Sequence, residues 1–127
     1  MKNSKGRILC TEDDEDTRDL ITLVLFGEGF EVICADDGEQ AIDLAKSQDF
    51  DLYLVDSWMR GLAGTALTEK LRSFDMKTPI LFYSGAAFET DKEAALSAGA
   101  QGYLVKPAGG DRLVAEVTRL IAEANAA

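Results

Sequence analysis

Histidine is absent from these 127 residues. The chain itself can therefore supply neither imidazole acid–base chemistry nor imidazole metal ligation. A positive balance is missing too. Against 13 Lys and Arg stand 23 Asp and Glu, a net charge of −10, which argues against direct contact with nucleic acid, where a basic footprint is needed. Apolar runs such as Leu23–Phe26 are far too short to cross a bilayer. No apolar stretch of signal-peptide length follows the opening "MKNSKGR", so no secretory signal is read and a cytoplasmic location is expected. Only two cysteines occur, Cys10 and Cys34, both inside apolar runs; they are expected to be buried free thiols rather than a disulfide framework.

What is there is a regular alternation. Five short apolar runs, "RILCT" (7–11), "FEVICA" (30–35), "DLYLVD" (51–56), "PILFYS" (79–84) and "GYLVK" (102–106), have the length and β-branched or aromatic content of strands buried on both faces. Helical spacing fills the gaps. The first helix is expected to bury Leu20, Leu23, Val24 and Phe26 and to stop at Gly27 and Gly29. The second opens on Asp37-Gly-Glu-Gln40, a capping box, and buries Ala41, Leu44 and Ala45. The third spans about Gly64 to Arg72, with Leu67 and Leu71 inward. The fourth is expected to start at a Thr90–Glu93 capping box and to end near Gly99. The fifth, about Asp111 to Ala124, repeats Leu113, Val117, Leu120, Ile121 and Ala124. Strand and helix alternating five times specify an α/β domain, a doubly wound parallel sheet with helices on both faces.

In such a sheet the functional crevice lies beyond the carboxyl ends of the strands. Those ends carry Glu12, Asp13 and Asp14 after the first strand, Asp56 after the third, Ser84-Gly85 after the fourth and Lys106-Pro107 after the fifth. Asp14, Glu15 and Asp16 are accounted for by the dipole of the helix they precede. Glu12, Asp13 and Asp56 would crowd negative charge into one crevice, a cost that a cation removes. Oxygen ligands alone favour a hard ion, Mg²⁺, with Mn²⁺ as an alternative. With Lys106 and the Ser84 hydroxyl beside them, these groups have the chemistry of a phosphoryl-transfer site.

These residues resemble the receiver domain of two-component response regulators, over essentially the whole chain. "ILCTEDDEDTRDL", "DLYLVD", "PILFYSG" and "GAQGYLVKP" match, in order, the acidic pair and first helix, the phospho-acceptor strand, the switch-hydroxyl strand and the aromatic Lys-Pro segment. The resemblance implies one receiver domain over residues 1–127 with its core at about 6–124. Its fold would be five parallel strands in the flavodoxin-like order 2-1-3-4-5, with five helices on both faces. It implies Asp56 as phospho-acceptor and Asp13, Asp56 and the Trp58 backbone carbonyl as Mg²⁺ ligands, with Glu12 acting through water. Arg18 sits where the family places a basic residue when Glu12 and Asp13 are the acidic pair. Lys106, aimed by a cis bond to Pro107, would meet the phosphoryl group, and Ser84 and Tyr103 would be the switch pair.

By the same resemblance the chain is a signalling switch rather than an enzyme. Its donor would be a histidine kinase or phosphotransfer protein, because no histidine is its own, or else a small acyl phosphate. Its output would pass to a downstream protein or to a second copy in a phosphorylation-dependent homodimer. Contacts are expected on the fourth helix, fifth strand and fifth helix, with the Trp58 loop as a second surface. Two rivals stand beside this reading: an unphosphorylated receiver-like interaction module, and a Mg²⁺-dependent phosphohydrolase, which would want an Asp where Trp58 stands. The chain also departs from the family. In "MRGLAG", Arg60 replaces a proline and Ala63 a polar residue, which is expected to loosen that loop. Ala108 stands where an aromatic residue is common. Trp58 and Ala86 are apolar where a polar side chain would orient hydrolytic water, so slow dephosphorylation is expected.

Overall fold

The computed structural model describes residues 4–126. Five strands, β1 (Arg7–Thr11), β2 (Glu31–Ala35), β3 (Leu52–Val55), β6 (Ile80–Ser84) and β7 (Gly102–Val105), form one sheet in the order β2-β1-β3-β6-β7. All four pairings are parallel. Two further two-residue strands, β4 (Trp58–Met59) and β5 (Leu62–Ala63), pair antiparallel outside this sheet. With that hairpin set aside, the order is 2-1-3-4-5, and each main strand lies within one residue of its expected ends.

The side-chain period of a strand divides the core between the two faces. Along β3, Leu52 and Leu54 enter the layer shared with α1 (Glu15–Gly27) and α5 (Gly110–Ala126). Tyr53 and Val55 enter the layer under α2 (Gly38–Ser47), α3 (Gly64–Arg72) and α4 (Glu89–Ala98). Every residue of β3 is at most 2 % exposed, so this strand is a rigid central support.

Three local expectations need correction. In α1 the buried residues are Ile21 and Leu25, with Val24 half-buried, whereas Leu20, Leu23 and Phe26 are 59, 70 and 71 % exposed. From Leu20 to Phe26 this helix is apolar at every position but Thr22, so periodicity could not select its inner face; the layer beneath it did. In α4 the capping contact comes from Asp91, whose carboxylate accepts from the Phe88 amide at 3.0 Å, and Thr90 lies inside the helix. The "MRGLAG" segment is not loosened. It forms the β4–β5 hairpin, with Met59 5 % exposed and Gly61 supplying a φ of +77° at the turn. Ala63 precedes α3 without a side-chain cap. Asp37 caps α2 as expected, its carboxylate accepting from the Gln40 amide at 2.8 Å, but the Gln40 side chain closes the box one residue early, accepting from the Asp36 amide at 2.9 Å.

Candidate functional site

Strand pairing brings the polar strand ends together. The Glu12 amide donates to the Ala35 carbonyl at 3.1 Å, that of Asp56 to Thr11 at 3.4 Å, and that of Lys106 to Ser84 at 2.8 Å. Each residue is thereby pinned by a neighbouring strand, at one edge of the sheet. Carboxylate oxygens of Glu12, Asp13 and Asp56 lie within 4.8 Å of one another. The Lys106 ammonium stands 2.7 Å from Glu12 Oε1 and 3.4 Å from Asp56 Oδ2. The Lys106–Pro107 peptide is cis.

The acidic pair is resolved by its neighbours. Asp14 is the N-cap of α1, accepting from the Thr17 amide at 2.9 Å and the Thr17 hydroxyl at 2.6 Å, bonds that hold its carboxyl below the ordinary range. Arg18 donates to the Glu12 carbonyl at 3.0 Å and braces that residue. Glu12 and Asp13 are left to the crevice.

Electrostatics at the crevice follow from burial. Glu12 is 2 % exposed, and desolvation raises its carboxyl pKa against the opposing hydrogen bond from Lys106. Burial also works to lower the Lys106 pKa. The Glu12 hydrogen bond and the Asp56 charge outweigh it, so the ammonium stays charged. The site therefore holds one firm cation among three carboxyl groups.

Asp56 is aimed by its own loop. The Ser57 amide donates to Asp56 Oδ1 at 2.8 Å, and the Gly64 amide donates to the Ser57 carbonyl at 2.7 Å. Only glycine fits at position 64. A Cβ there would collide with the Asp56 carbonyl oxygen and stand 2.9 Å from the Phe82 ring.

Ser84 and Tyr103 lie beside the crevice, each engaged elsewhere. The Ser84 hydroxyl, 2 % exposed, accepts from the Ala86 amide at 3.1 Å. The Tyr103 hydroxyl donates to the Ala86 carbonyl at 2.7 Å and meets the Ser57 hydroxyl at 3.3 Å, while its half-buried ring stacks on Phe82 at 5.7 Å. Ala86 thus ties the two residues to one loop. Ser57 carries no signal in the sequence, because its partner is 46 positions away and no spacing marks it. Trp58 sits in β4 with its indole 73 % exposed, so the ring covers little of the crevice. A cavity of about 600 Å³ opens between α2, the hairpin and α3 and contains none of these groups.

No helix among the described residues is long and apolar enough to cross a membrane. The sequence profile of the response regulator receiver domain matches residues 8–118, inside the expected core. The cell cycle response regulator CtrA of Brucella ovis is 38 % identical over 115 residues, covering 91 % of this chain and 50 % of that protein. The chain therefore spans about half the length of the curated relatives it matches. A CheY-like receiver domain protein from Methanospirillum hungatei superimposes with a TM-score of 0.91 at 27 % identity, covering 96 % of this chain and 98 % of that one. The receiver domain of a sensor histidine kinase from Pseudomonas aeruginosa, solved with a magnesium ion coordinated in its active site cleft, gives a TM-score of 0.86 at 30 % identity. That match covers 92 % of this chain and 98 % of the other. Fold, strand-end constellation and sequence profile agree: the chain belongs to the response regulator receiver domain family, the signalling domain of two-component systems.

Proposed function

We propose that this receiver domain is a phosphorylation-activated switch that accepts a phosphoryl group on Asp56 from a histidine kinase or phosphotransfer protein. The observation that carries the reading is the Lys106 ammonium set between Glu12 and Asp56, with Asp13 alongside, at the meeting of three strand ends. The all-oxygen donor set fits Mg²⁺, or Mn²⁺ in its place, with Asp13, Asp56 and the Trp58 carbonyl as ligands and Glu12 acting through water. When bound, the ion would neutralise charge shared between carboxylates and phosphoryl oxygens.

A carboxylate oxygen of Asp56 attacks phosphorus; a P–O bond forms, and the bond to the donor breaks with its electron pair leaving on the donor group. For a phosphohistidine that group is an imidazole, which this chain does not contain. Lys106, held charged by Glu12, receives a phosphoryl oxygen and offsets the developing charge. The Ser84 hydroxyl turns from accepting the Ala86 amide to donating to a phosphoryl oxygen. Because Ala86 also holds Tyr103, that exchange moves the loop after β6 and the ring together. The changed face, α4, β7 and α5, would pass the signal to a downstream protein or a second copy. Exposed Phe88 and Leu96, at the start and on the body of α4, support contact there.

Acetyl phosphate with Mg²⁺ tests the reading. Intact mass should show one added phosphoryl group in the wild type and none in Asp56→Ala. An adduct that survives the substitution overturns Asp56 as the acceptor, and its absence from the folded wild type overturns the switch and favours an unphosphorylated interaction module.

A further inference from the structure

Cys10 and Cys34 have no part in the phosphoryl site, yet the fold sets them side by side. They are register partners on the parallel neighbours β1 and β2, and partners in register point to the same face. Both lie in the layer beneath α1. Neighbouring strands run about 4.8 Å apart, which falls within the roughly 4.4–6.8 Å between Cα atoms that a disulfide can span. Both thiols are free in this structure.

Their surroundings differ in a way that divides the labour. Cys10 is 1 % exposed. Cys34 lies on the edge strand and is only half-buried, within reach of a small reagent. The Thr22 hydroxyl of α1 stands 3.3 Å from the Cys34 sulfur. The neighbouring Cys10 sulfur first, then Thr22 and the charge of Arg18, lower the Cys34 pKa to about 6 against burial and Asp19, while the Thr22 hydroxyl itself donates to the Arg18 carbonyl at 2.8 Å. Cys34 is thus the sulfur that a small reagent meets first, with its register partner Cys10 buried beside it.

We propose that Cys34 is a modification site for hydroperoxides and that Cys10 is the thiol that resolves it. The Cys34 sulfur attacks a peroxide oxygen. An S–O bond forms, the O–O bond breaks, and the departing oxygen takes the electron pair and a proton from water. Cys34 is oxidised to a sulfenic acid and the hydroperoxide is reduced to water or an alcohol. The Cys10 sulfur then attacks that of Cys34. An S–S bond forms, the S–O bond breaks, and hydroxide leaves with the Cys10 proton as water. The product ties β1 to β2 two residues before Glu12.

The test treats the full chain with hydrogen peroxide at neutral pH and reads intact mass, dimedone labelling and mapped peptides. The wild type should lose two hydrogens, with Cys10 and Cys34 linked and the change reversed by dithiothreitol. Cys10→Ala should stop at one added oxygen that dimedone traps on Cys34, and Cys34→Ala should show neither product. Thr22→Val, which keeps the shape and removes only the hydroxyl, should slow oxidation about threefold or more. A wild type that oxidises only at methionine, or Cys34→Ala that still yields a cysteine sulfenate, overturns the proposal. Should Cys10→Ala fail to fold, the linked wild-type peptide and the Thr22→Val rate decide it. These readouts differ in mass from a phosphoryl adduct, so the outcome is independent of Asp56.

Discussion

Glu12 is as buried as a core leucine, and Lys106 is the only cation paired with its carboxylate among the described residues, at 2.7 Å. Two more carboxyl groups share the crevice, so the site sets like charges against one another and stores instability that a bound cation relieves. Removing one of those charges should therefore stabilise the metal-free protein. Asp13→Asn is expected to raise its unfolding free energy in urea by on the order of 1 kcal/mol. It should also abolish the response of the single tryptophan to Mg²⁺. A less stable variant, or one with an unchanged titration, would contradict the metal assignment of Asp13. Trp58 makes a second prediction at this scale. Neither its indole nor Ala86 can orient a water toward a phosphorylated Asp56, so Trp58→Asn should speed loss of the phosphoryl group about threefold or more. An unchanged lifetime would show that position 58 does not limit hydrolysis.

At the scale of elements, the acceptor depends on how α3 begins. Gly64 opens that helix directly beneath Asp56, and its amide closes the loop onto Ser57. A methyl group at position 64 has nowhere to go except into the Asp56 carbonyl and Phe82. Gly64→Ala should cost about 2–3 kcal/mol in chemical denaturation and should lower the rate of phosphoryl uptake by shifting the loop. Wild-type stability in this variant would mean that the loop can relax. The β4–β5 hairpin belongs to the same device. Burial of Met59 and the positive φ of Gly61 order a segment whose composition suggested looseness, and Arg60 is accommodated in its turn. The pairing of Trp58 with Ala63 explains how an alanine can precede α3 without capping it: the loop is held by backbone bonds instead.

Across the whole molecule, acid stability should depend on a residue far from the site. Asp75, after α3, accepts from the Tyr53 hydroxyl at 2.7 Å and from the Lys77 and Thr78 amides at 2.9 and 3.1 Å. Burial works to raise its carboxyl, but hydrogen bonds from Thr78, Tyr53 and Lys77 outweigh it and lower the pKa from 3.8 to about 2. A carboxyl depressed by folding contributes stability that is complete above its unfolded pKa and is lost as pH falls through the folded one. The window is thus from about pH 4 down to about pH 2, and the contribution is on the order of 1–2 kcal/mol after solvent screening. Tyr53→Phe should move the acid-unfolding midpoint to higher pH by circular dichroism. An unmoved midpoint would show that the two amides alone suffice.

Much of this protein is legible in its amino-acid sequence alone. Residues such as Leu52–Val55 are apolar in an unbroken run, which only a strand buried on both faces requires. Five such runs separated by helical spacing leave little freedom of architecture. The carboxylates and lysine at the strand ends are visible for the same reason, since a parallel sheet gathers its carboxyl ends at one edge. Other features depend on contacts between residues distant in sequence. The inner face of α1, the bond between Ser57 and Tyr103 and the facing of Cys10 and Cys34 all depend on which strand or helix lies alongside. Local pattern determined the elements and their polar tips, because periodicity and burial act over a few residues. Tertiary structure decided which tips bond, which thiols meet and which apolar face is left to solvent, because those outcomes belong to packing between elements.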